Sequence, residues 1–471
     1  MLKQVATTGV DLDTVYTQTL QRIREQKGDR SRLGMEVLMW LSHSERPMRI
    51  DKLRHALAVE MGSTDLDPEN IRPQDTLLGS CLGLAVVDRE TSTVRLIHYT
   101  LQQYFCLPGT LPGSHRTLAQ SCLVYLNYEQ VTGIPPNNAS SLRDMPFLEY
   151  PSYYWARHAM AEPSDCVESL ALELLNRYQN HISATLLFQQ IRGHMAPSVS
   201  HHLFTGLHCA SYFGMVEVVA ALIEVKDCDI NQSDCMGFTP LMWAAQYGNE
   251  GVVRLLLTLD DLDPNKTDSH GQTPLGCASF YGHEGVAKLI LTRDDVKPDK
   301  PDICGQTPLG CASLGGHEGV VQLLLTRGDV NPNKPDIYGH TPLRSSSGNG
   351  HEGVVKLLLT RGDANPDKPC NNGETPLWHA SSNGHEGVVN LLLTQGYVNL
   401  DNPCNHGETP LWRASSYGHE GVVRLLLTSK DINPNKPVYG ETPLWCASLY
   451  GHYCLSPALP QEPLPYLLPP A

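Results

Sequence analysis

Five His-Glu pairs, at His283, His317, His351, His385 and His419, recur every 34 residues. Imidazole followed by carboxylate is the material of metal centres and proton transfer. A metal ladder fails on geometry, because packed helices stand about 8–10 Å apart while zinc needs donor atoms about 2 Å from one centre. The second His of an H-E-x-x-H motif is also missing. The pairs read instead as a contact at a helix start, copied by duplication. Cysteines recur too: Cys277, Cys311 and Cys446 share one position, and Cys304, Cys370 and Cys404 lie in turn segments. Neighbouring copies are too far apart for a disulfide, which needs Cα atoms within about 7 Å. Cys–His catalysis would need an orienting group and a pocket that nothing marks, so these thiols read as small buried hydrophobes. No G-x-x-x-x-G-K-[ST] and no Gly-Lys dipeptide occurs in the chain, so the phosphate cradle of that motif is missing. No catalytic residue, cofactor site or metal ligand is assigned, and neither NTP hydrolysis nor specific nucleotide binding is expected.

The elements that carry these residues follow from one phrase. G-x-T-P-L starts at Gly237, Gly271, Gly305, Gly339, Gly373, Gly407 and Gly440, in five steps of 34 residues and one of 33. An eroded copy, "TGLHCASYFG", starts at Thr205. A fixed period of this length marks a stacked architecture. In one copy, Thr307 caps a short helix whose first residue is Pro308, and Leu309 and Ala312 form its apolar face. Gly315 and Gly316 end it. A second helix follows in "HEGVVQLLLT", with Val320, Leu323 and Leu324 on one stripe. Gly328 suits a left-handed cap, and "NPNKPDIYG" is turn chemistry. Such short helices are unstable alone in water, so each copy must bury its apolar face against the next.

T-P-L, then Ala, then Gly-His, then V-V-x-L-L-L resembles the ankyrin repeat, over residues 203–454. The resemblance implies an α-solenoid with projecting hairpin tips, and protein binding rather than catalysis. Two departures stand out. Each loop is one residue longer than usual, and the His that follows T-P-L is replaced by Met242, Gly276, Gly310, Arg344, Trp378, Trp412 and Trp445. In the family that His ties neighbouring turns, and here the tie is not carried over.

The remainder of the chain has a different character. Of the net charge of −15, residues 1–200 carry 18 basic and 21 acidic groups, a balance of −3. Residues 201–471 carry 17 and 29, a balance of −12. An acidic array repels phosphate backbones, so nucleic acid is not expected as a partner, whereas a basic or neutral protein surface is. No run of 18 apolar residues and no secretory signal are found, and the fourteen cysteines fit reduced thiols. A cytosolic protein with no membrane partner is expected, in which the sequons at Asn138, Asn231 and Asn265 are chance matches.

The opening helix "LDTVYTQTLQRIREQK" places Leu12, Tyr16, Leu20 and Ile23 on one face, and weak self-association through that face is expected. Helices over 33–43, 50–59 and 74–83, a hairpin of 85–88 with 93–97, and a helix over 99–106 compose a winged helix. "LSHSERPMRIDKLRHALAVE", "LLGSCLGLAVVD" and "VRLIHYTLQQYF" are similar to the winged-helix segment after the NACHT NTPase in fungal NOD-like receptors. That resemblance implies a ligand-sensing portion without its NTPase. The domains expected are a helical segment 1–30, a winged helix 31–110, a helical connector 111–202, repeats 203–454 with the seventh incomplete, and a Pro-rich tail 455–471. The tail would be disordered or lie over the last full repeat, which would fray.

The fold class is therefore mainly α: a winged-helix and helical region, then an ankyrin solenoid. Binding is assigned first to the residue after each turn glycine, which varies inside a copied frame: Phe238, Gln272, Gln306, His340, Glu374, Glu408 and Glu441. Tyr247, Tyr281, Tyr417 and Tyr450 form a second set. Variation there fits either recognition or drift. Trp378, Trp412 and Trp445 are written alike for an interface or a packed ladder, and packing is favoured. Two rival functions remain: a non-functional fragment of a larger NACHT–ankyrin receptor gene, and a DNA-binding winged-helix regulator. Against the second, "QDTLLGSCLGL" offers a groove no Lys or Arg and one acid, Asp75.

Overall fold

The computed structural model describes residues 12–136, 144–192, 203–225 and 228–452. It divides into an N-terminal half, Met1–Cys235, and a C-terminal half, Met236–Ala471. Among the described residues there are 25 α-helices and one three-stranded sheet. The expected Pro-rich tail lies outside the described residues.

In the N-terminal half, α1 (Leu12–Arg24) packs on α2 (Asp29–His43) and on α5 (Tyr99–Phe105). Tyr16, Leu20 and Ile23 are buried there. The Tyr16 ring lies 5.6 Å from Tyr104, and its hydroxyl is 2.8 Å from Thr100 Oγ1. The face expected to drive self-association is therefore filled by the chain's own α2 and α5, and that expectation loses its basis; the Leu12 side chain lies outside the described residues. Gly34 on α2 allows this closeness, since a Cβ there would stand 2.6 Å from Ser80 O and 2.9 Å from Ile23 Cγ2.

The winged helix continues through β1 (Met48–Arg49), α3 (Ile50–Ala56), α4 (Gln74–Ser80), β2 (Ala85–Val87) and β3 (Thr93–Leu96). The sheet order is β1-β3-β2, all antiparallel, with Met48 opposite Val94 and Ala85 opposite Leu96. The short strand β1 was not foreseen, because two residues show no alternation. Helix α2 starts four residues before the expected 33, as its polar first turn hides the apolar period. Asp88 Oδ1 closes the wing by accepting from the amides of Glu90 and Thr91.

A helical segment follows: α6 (Ser114–Asn127), α7 (Glu129–Thr132), α8 (Glu149–Ala161), α9 (Asp165–Leu175) and α10 (Ile182–Arg192). Helix α6 packs on α8 and α9, and α8 on α10. Trp40 on α2 meets Phe147 at 5.5 Å and Tyr150 at 5.7 Å, both edge-on, which joins the winged helix to this segment. The eroded repeat forms α11 (Gly206–Phe213) and α12 (Val216–Ile223), which rest on α9.

The C-terminal half repeats one plan. First helices are α13 (Pro240–Gln246), α15 (Pro274–Tyr281), α17 (Pro308–Gly315), α19 (Pro342–Gly348), α21 (Pro376–Ser382), α23 (Pro410–Tyr417) and α25 (Pro443–Leu449). Second helices are α14 (Glu250–Leu256), α16 (Glu284–Ile290), α18 (Glu318–Leu325), α20 (Glu352–Arg361), α22 (Glu386–Leu393) and α24 (Glu420–Leu426). First helices stack on first and second on second. Every first helix begins with Pro, and its Thr hydroxyl accepts an amide hydrogen three residues on, as Thr307 does from Gly310 at 3.1 Å. Val320, Val321 and Leu324, with their counterparts, are buried, each worth about 1.5–3 kcal/mol of burial. Gly328 is not left-handed, contrary to expectation; Gly362, at the same place in the next repeat, is, with φ 83°.

The His-Glu pairs have a use that the spacing alone did not show. Each His reaches back to the preceding repeat: His317 Nε2 donates to Phe280 O at 3.0 Å, His283, His351, His385 and His419 do likewise, and so does His452, which no Glu follows. The carboxylates of Glu284, Glu318, Glu352 and Glu386 project forward over a glycine of the next repeat; Gly353, for example, is where a Cβ would collide with Glu318. The ties between turns also persist without the family's His. Backbone bonds run from Ser269 to Met236, Ile303 to His270, Ile337 to Cys304, Asn371 to Tyr338 and Asn405 to Asn372.

Candidate functional site

The variable residues sit where each hairpin turn meets the first helix of its repeat. In three turns one carboxylate organises the backbone. Asp268 Oδ1 accepts from the amides of His270 and Gln272, Asp302 from Cys304 and Gln306, and Asp336 from Tyr338 and His340, at 2.8–2.9 Å. A left-handed glycine lies between the two donors in each case. In the next two turns that Asp is replaced by Cys370 and Cys404, and the variable residue becomes Glu374 and Glu408. Each thiol then points at the new carboxylate, Cys370 Sγ at 3.5 Å from Glu374 Oε2 and Cys404 Sγ at 3.9 Å from Glu408 Oε2. The turn keeps its negative charge but draws it from four residues further on. The paired change within one repeat is the sequence signal that could have revealed this.

These side chains connect from repeat to repeat. Gln306 Nε2 donates to Asp336 Oδ2 at 3.0 Å, and His340 Nδ1 lies 3.2 Å from the same oxygen. Arg344 Nη2 is 4.0 Å from Glu374 Oε2, and His379 Nε2 is 2.9 Å from it. Arg413 Nη1 is 3.6 Å from Glu408 Oε2, and its guanidinium lies over the rings of Trp378 and Tyr417 at 5.1 and 4.6 Å. Trp378 Nε1 donates to Glu408 O at 3.1 Å, a side-chain tie between turns of the kind expected of the missing His. Arg344, His379, Arg413 and Asp336 were not assigned from sequence; they precede or follow the variable position, and only packing brings them to it.

Burial shapes the charges. It lowers the pKa of His340, with Arg344 adding to the effect and Asp336 opposing it. Burial, reinforced by Arg344, brings His379 down to about 4 and outweighs the attraction of Glu374. Both imidazoles are therefore neutral at pH 7. The Cys446 thiol is pushed up to about 12 by burial and by Glu441.

The remaining assigned residues separate into buried and exposed ones. Phe238 is buried with its ring 5.4 Å from Trp243, so it packs rather than presents itself. Trp378 and Trp412 are buried as well, Trp412 in a cluster with Val438 and Cys446. Trp445 is 41% exposed. Gln272 and Glu441 are half-buried beside their turns. Tyr247, Tyr281, Tyr417 and Tyr450 are all exposed at the ends of first helices, joined there by Phe280, Leu314 and Leu449. At the turn tips Ile303, Ile337, Tyr338 and Tyr439 are exposed; these were missed, although apolar residues inside a polar turn are a visible signal. In the winged helix, α4 turns Gln74 and Asp75 outward and buries Leu77 and Ser80. Cys277 and Cys311 are buried as expected, Cys370 and Cys404 are too, Cys304 is exposed, and no described cysteine is in a disulfide. No described helix is long and apolar enough to cross a membrane.

Comparison with known proteins follows this division. The family model described as GPI inositol-deacylase, winged helix domain, matches residues 21–110. No curated protein matches the chain. Among solved structures, the ankyrin repeat domain of Bcl-3, described as a unique member of the IkappaB protein family, is 28% identical. It covers 47% of this chain and 97% of its own, with a TM-score of 0.42. The family model of ankyrin repeats in three copies matches residues 180–268, 207–302, 291–370, 349–438 and 398–456, an unbroken span of more than half the sequence. The chain belongs to the ankyrin-repeat family.

Proposed function

We propose that the chain is a cytosolic, non-enzymatic binding protein whose C-terminal half captures a protein ligand, as the ligand-sensing portion of a NOD-like receptor of the fungal NACHT–ankyrin type. Ankyrin repeats are protein-interaction modules. The observation behind this reading is that Gln306, Glu374 and Glu408 each meet a residue of an adjoining repeat, through Asp336, Arg344 and Trp378 respectively. Tyr247, Tyr281, Tyr417 and Tyr450 stand exposed at the ends of four first helices. Aromatic anchors beside a polar rim are what an interface needs. The balance of −12 beyond residue 200 favours a basic or neutral partner surface, with an on-rate that falls as salt rises. The winged helix before the repeats supports the receptor assignment.

The test is a chain with Tyr247, Tyr281, Tyr417 and Tyr450 all changed to Ser, compared with the native chain. A ligand that binds the native protein and is lost from this variant, at equal helicity and thermal midpoint, is the expected outcome. A ligand held equally by both places binding elsewhere and overturns the assignment.

A further inference from the structure

In the repeat that begins at Cys370, the turn and the first helix bring a thiol, a carboxylate and an imidazole together. Cys370 Sγ is 3.5 Å from Glu374 Oε2, and His379 Nε2 is 2.9 Å from that oxygen. The three donor atoms all lie within 4.8 Å of one another. Around a tetrahedral zinc ion, with Zn–S near 2.3 Å and Zn–N or Zn–O near 2.0–2.1 Å, adjacent donors stand about 3.3–3.6 Å apart. The two separations given depart from that by less than about 0.5 Å.

His379 Nε2 supplies a second observation. It is buried and makes no hydrogen bond of acceptable geometry, despite its closeness to Glu374. A buried ring nitrogen facing a carboxylate at a poor angle is badly served by that contact. A cation between them would satisfy both.

The chain contains its own control. The following repeat keeps the thiol and carboxylate as Cys404 and Glu408 but has Arg413 where His379 stands. There the guanidinium brings the positive charge to the carboxylate. Among the described residues no other group of three such ligands is found. Arg344 opposes a cation here by its charge, and at 4.0 Å from Oε2 it serves the carboxylate as an outer partner.

We propose that Cys370, Glu374 and His379 bind a divalent transition-metal ion of the zinc class, with the fourth position open to water. Thiolate, imidazole and carboxylate together favour such an ion over calcium or magnesium. Binding would release the thiol proton as the Cys370–metal bond forms. The site shares Glu374 with the polar contacts between repeats, but its test reads metal rather than protein ligand, so its failure leaves the ligand-capture reading untouched.

The test uses Co²⁺ as a spectroscopic probe on the full chain after removal of metals with EDTA. One equivalent should produce a thiolate-to-cobalt charge-transfer band and visible bands of tetrahedral intensity, both abolished by added Zn²⁺. H379R copies the next repeat and should therefore fold; it is expected to weaken Co²⁺ binding by about 100-fold or more. C370S should remove the charge-transfer band. Absence of the band in the native chain overturns the proposal; so does a band that survives in C370S, which would arise from another cysteine, and so does an unchanged Co²⁺ affinity in H379R, which would leave His379 out of the site.

Discussion

The two halves of the molecule make their cores from different materials. In the N-terminal half, Trp40, Phe147, Tyr150 and Trp155 are fully buried, and the Trp40–Tyr150 contact joins residues far apart in sequence. In the C-terminal half the core is mainly Val, Leu and Ala, repeated at each step with single rings such as Trp243 added, and each side chain needs only the neighbouring repeat. Large rings with distant partners make a core that is lost as a whole. Small side chains with near partners make a column whose stability is a sum of local terms. The same contrast appears in the polar groups: His158 bonds Tyr150 and His115 inside the N-terminal core, whereas His317 bonds one carbonyl of the adjoining repeat.

The largest effect should come from Trp40→Ala. Emptying so large a buried site costs about 3–5 kcal/mol, and urea unfolding should show the N-terminal transition shifted while that of the repeats stays in place. Both transitions moving equally would break the contrast.

Acid should sharpen it. Burial lowers His158 to about 3, with His115 and His43 adding to the effect, and lowers His181 to about 4. Unfolding returns each to an ordinary value near 6.5. Between those values the unfolded chain binds more protons, so stability is full above about pH 6.5 and falls as pH drops towards 4 and below. The C-terminal half has one such group at about 4, His379. The urea midpoint of the N-terminal transition should therefore fall more steeply from pH 7 to pH 5 than that of the repeats. Equal slopes would refute this.

The smallest effect is a pair of glycine changes inside the repeats. Gly282 has φ 76°, and a Cβ there would press on the His317 ring, so Gly282→Ala should cost about 1–3 kcal/mol. Gly328 has ordinary φ and open space around it, so Gly328→Ala should be neutral or stabilise by up to about 1 kcal/mol. Thermal midpoints separate the two, and a loss at Gly328 as large as at Gly282 would contradict the ladder.

Much of the C-terminal half was legible. The 34-residue period, the Thr-Pro helix starts and the Val-Leu stripes are local signals, and the helices lie where those signals put them. In the winged helix the hairpin and helices were legible for the same reason, while β1 was not, since its two residues pair only because β3 is brought alongside. Phe238 stands at a position that varies between repeats as surface residues do, yet it is buried, as is Trp378, for which packing is the favoured reading. Variation reports freedom from the copied pattern, not exposure.

By itself the sequence determined that the chain stacks copies of one helical unit, because helices of two or three turns have no other way to bury an apolar face. Only the tertiary structure decided what the polar residues do. The His-Glu-Gly phrase is a two-way clasp between repeats, and Cys370, Glu374 and His379 converge although nothing in their spacing resembles a ligand motif. The apolar face of α1 is covered from α5, some eighty residues away. Periodicity records which face of a helix is apolar, but which surface covers that face, and which side chains meet across it, depends on how the chain returns on itself.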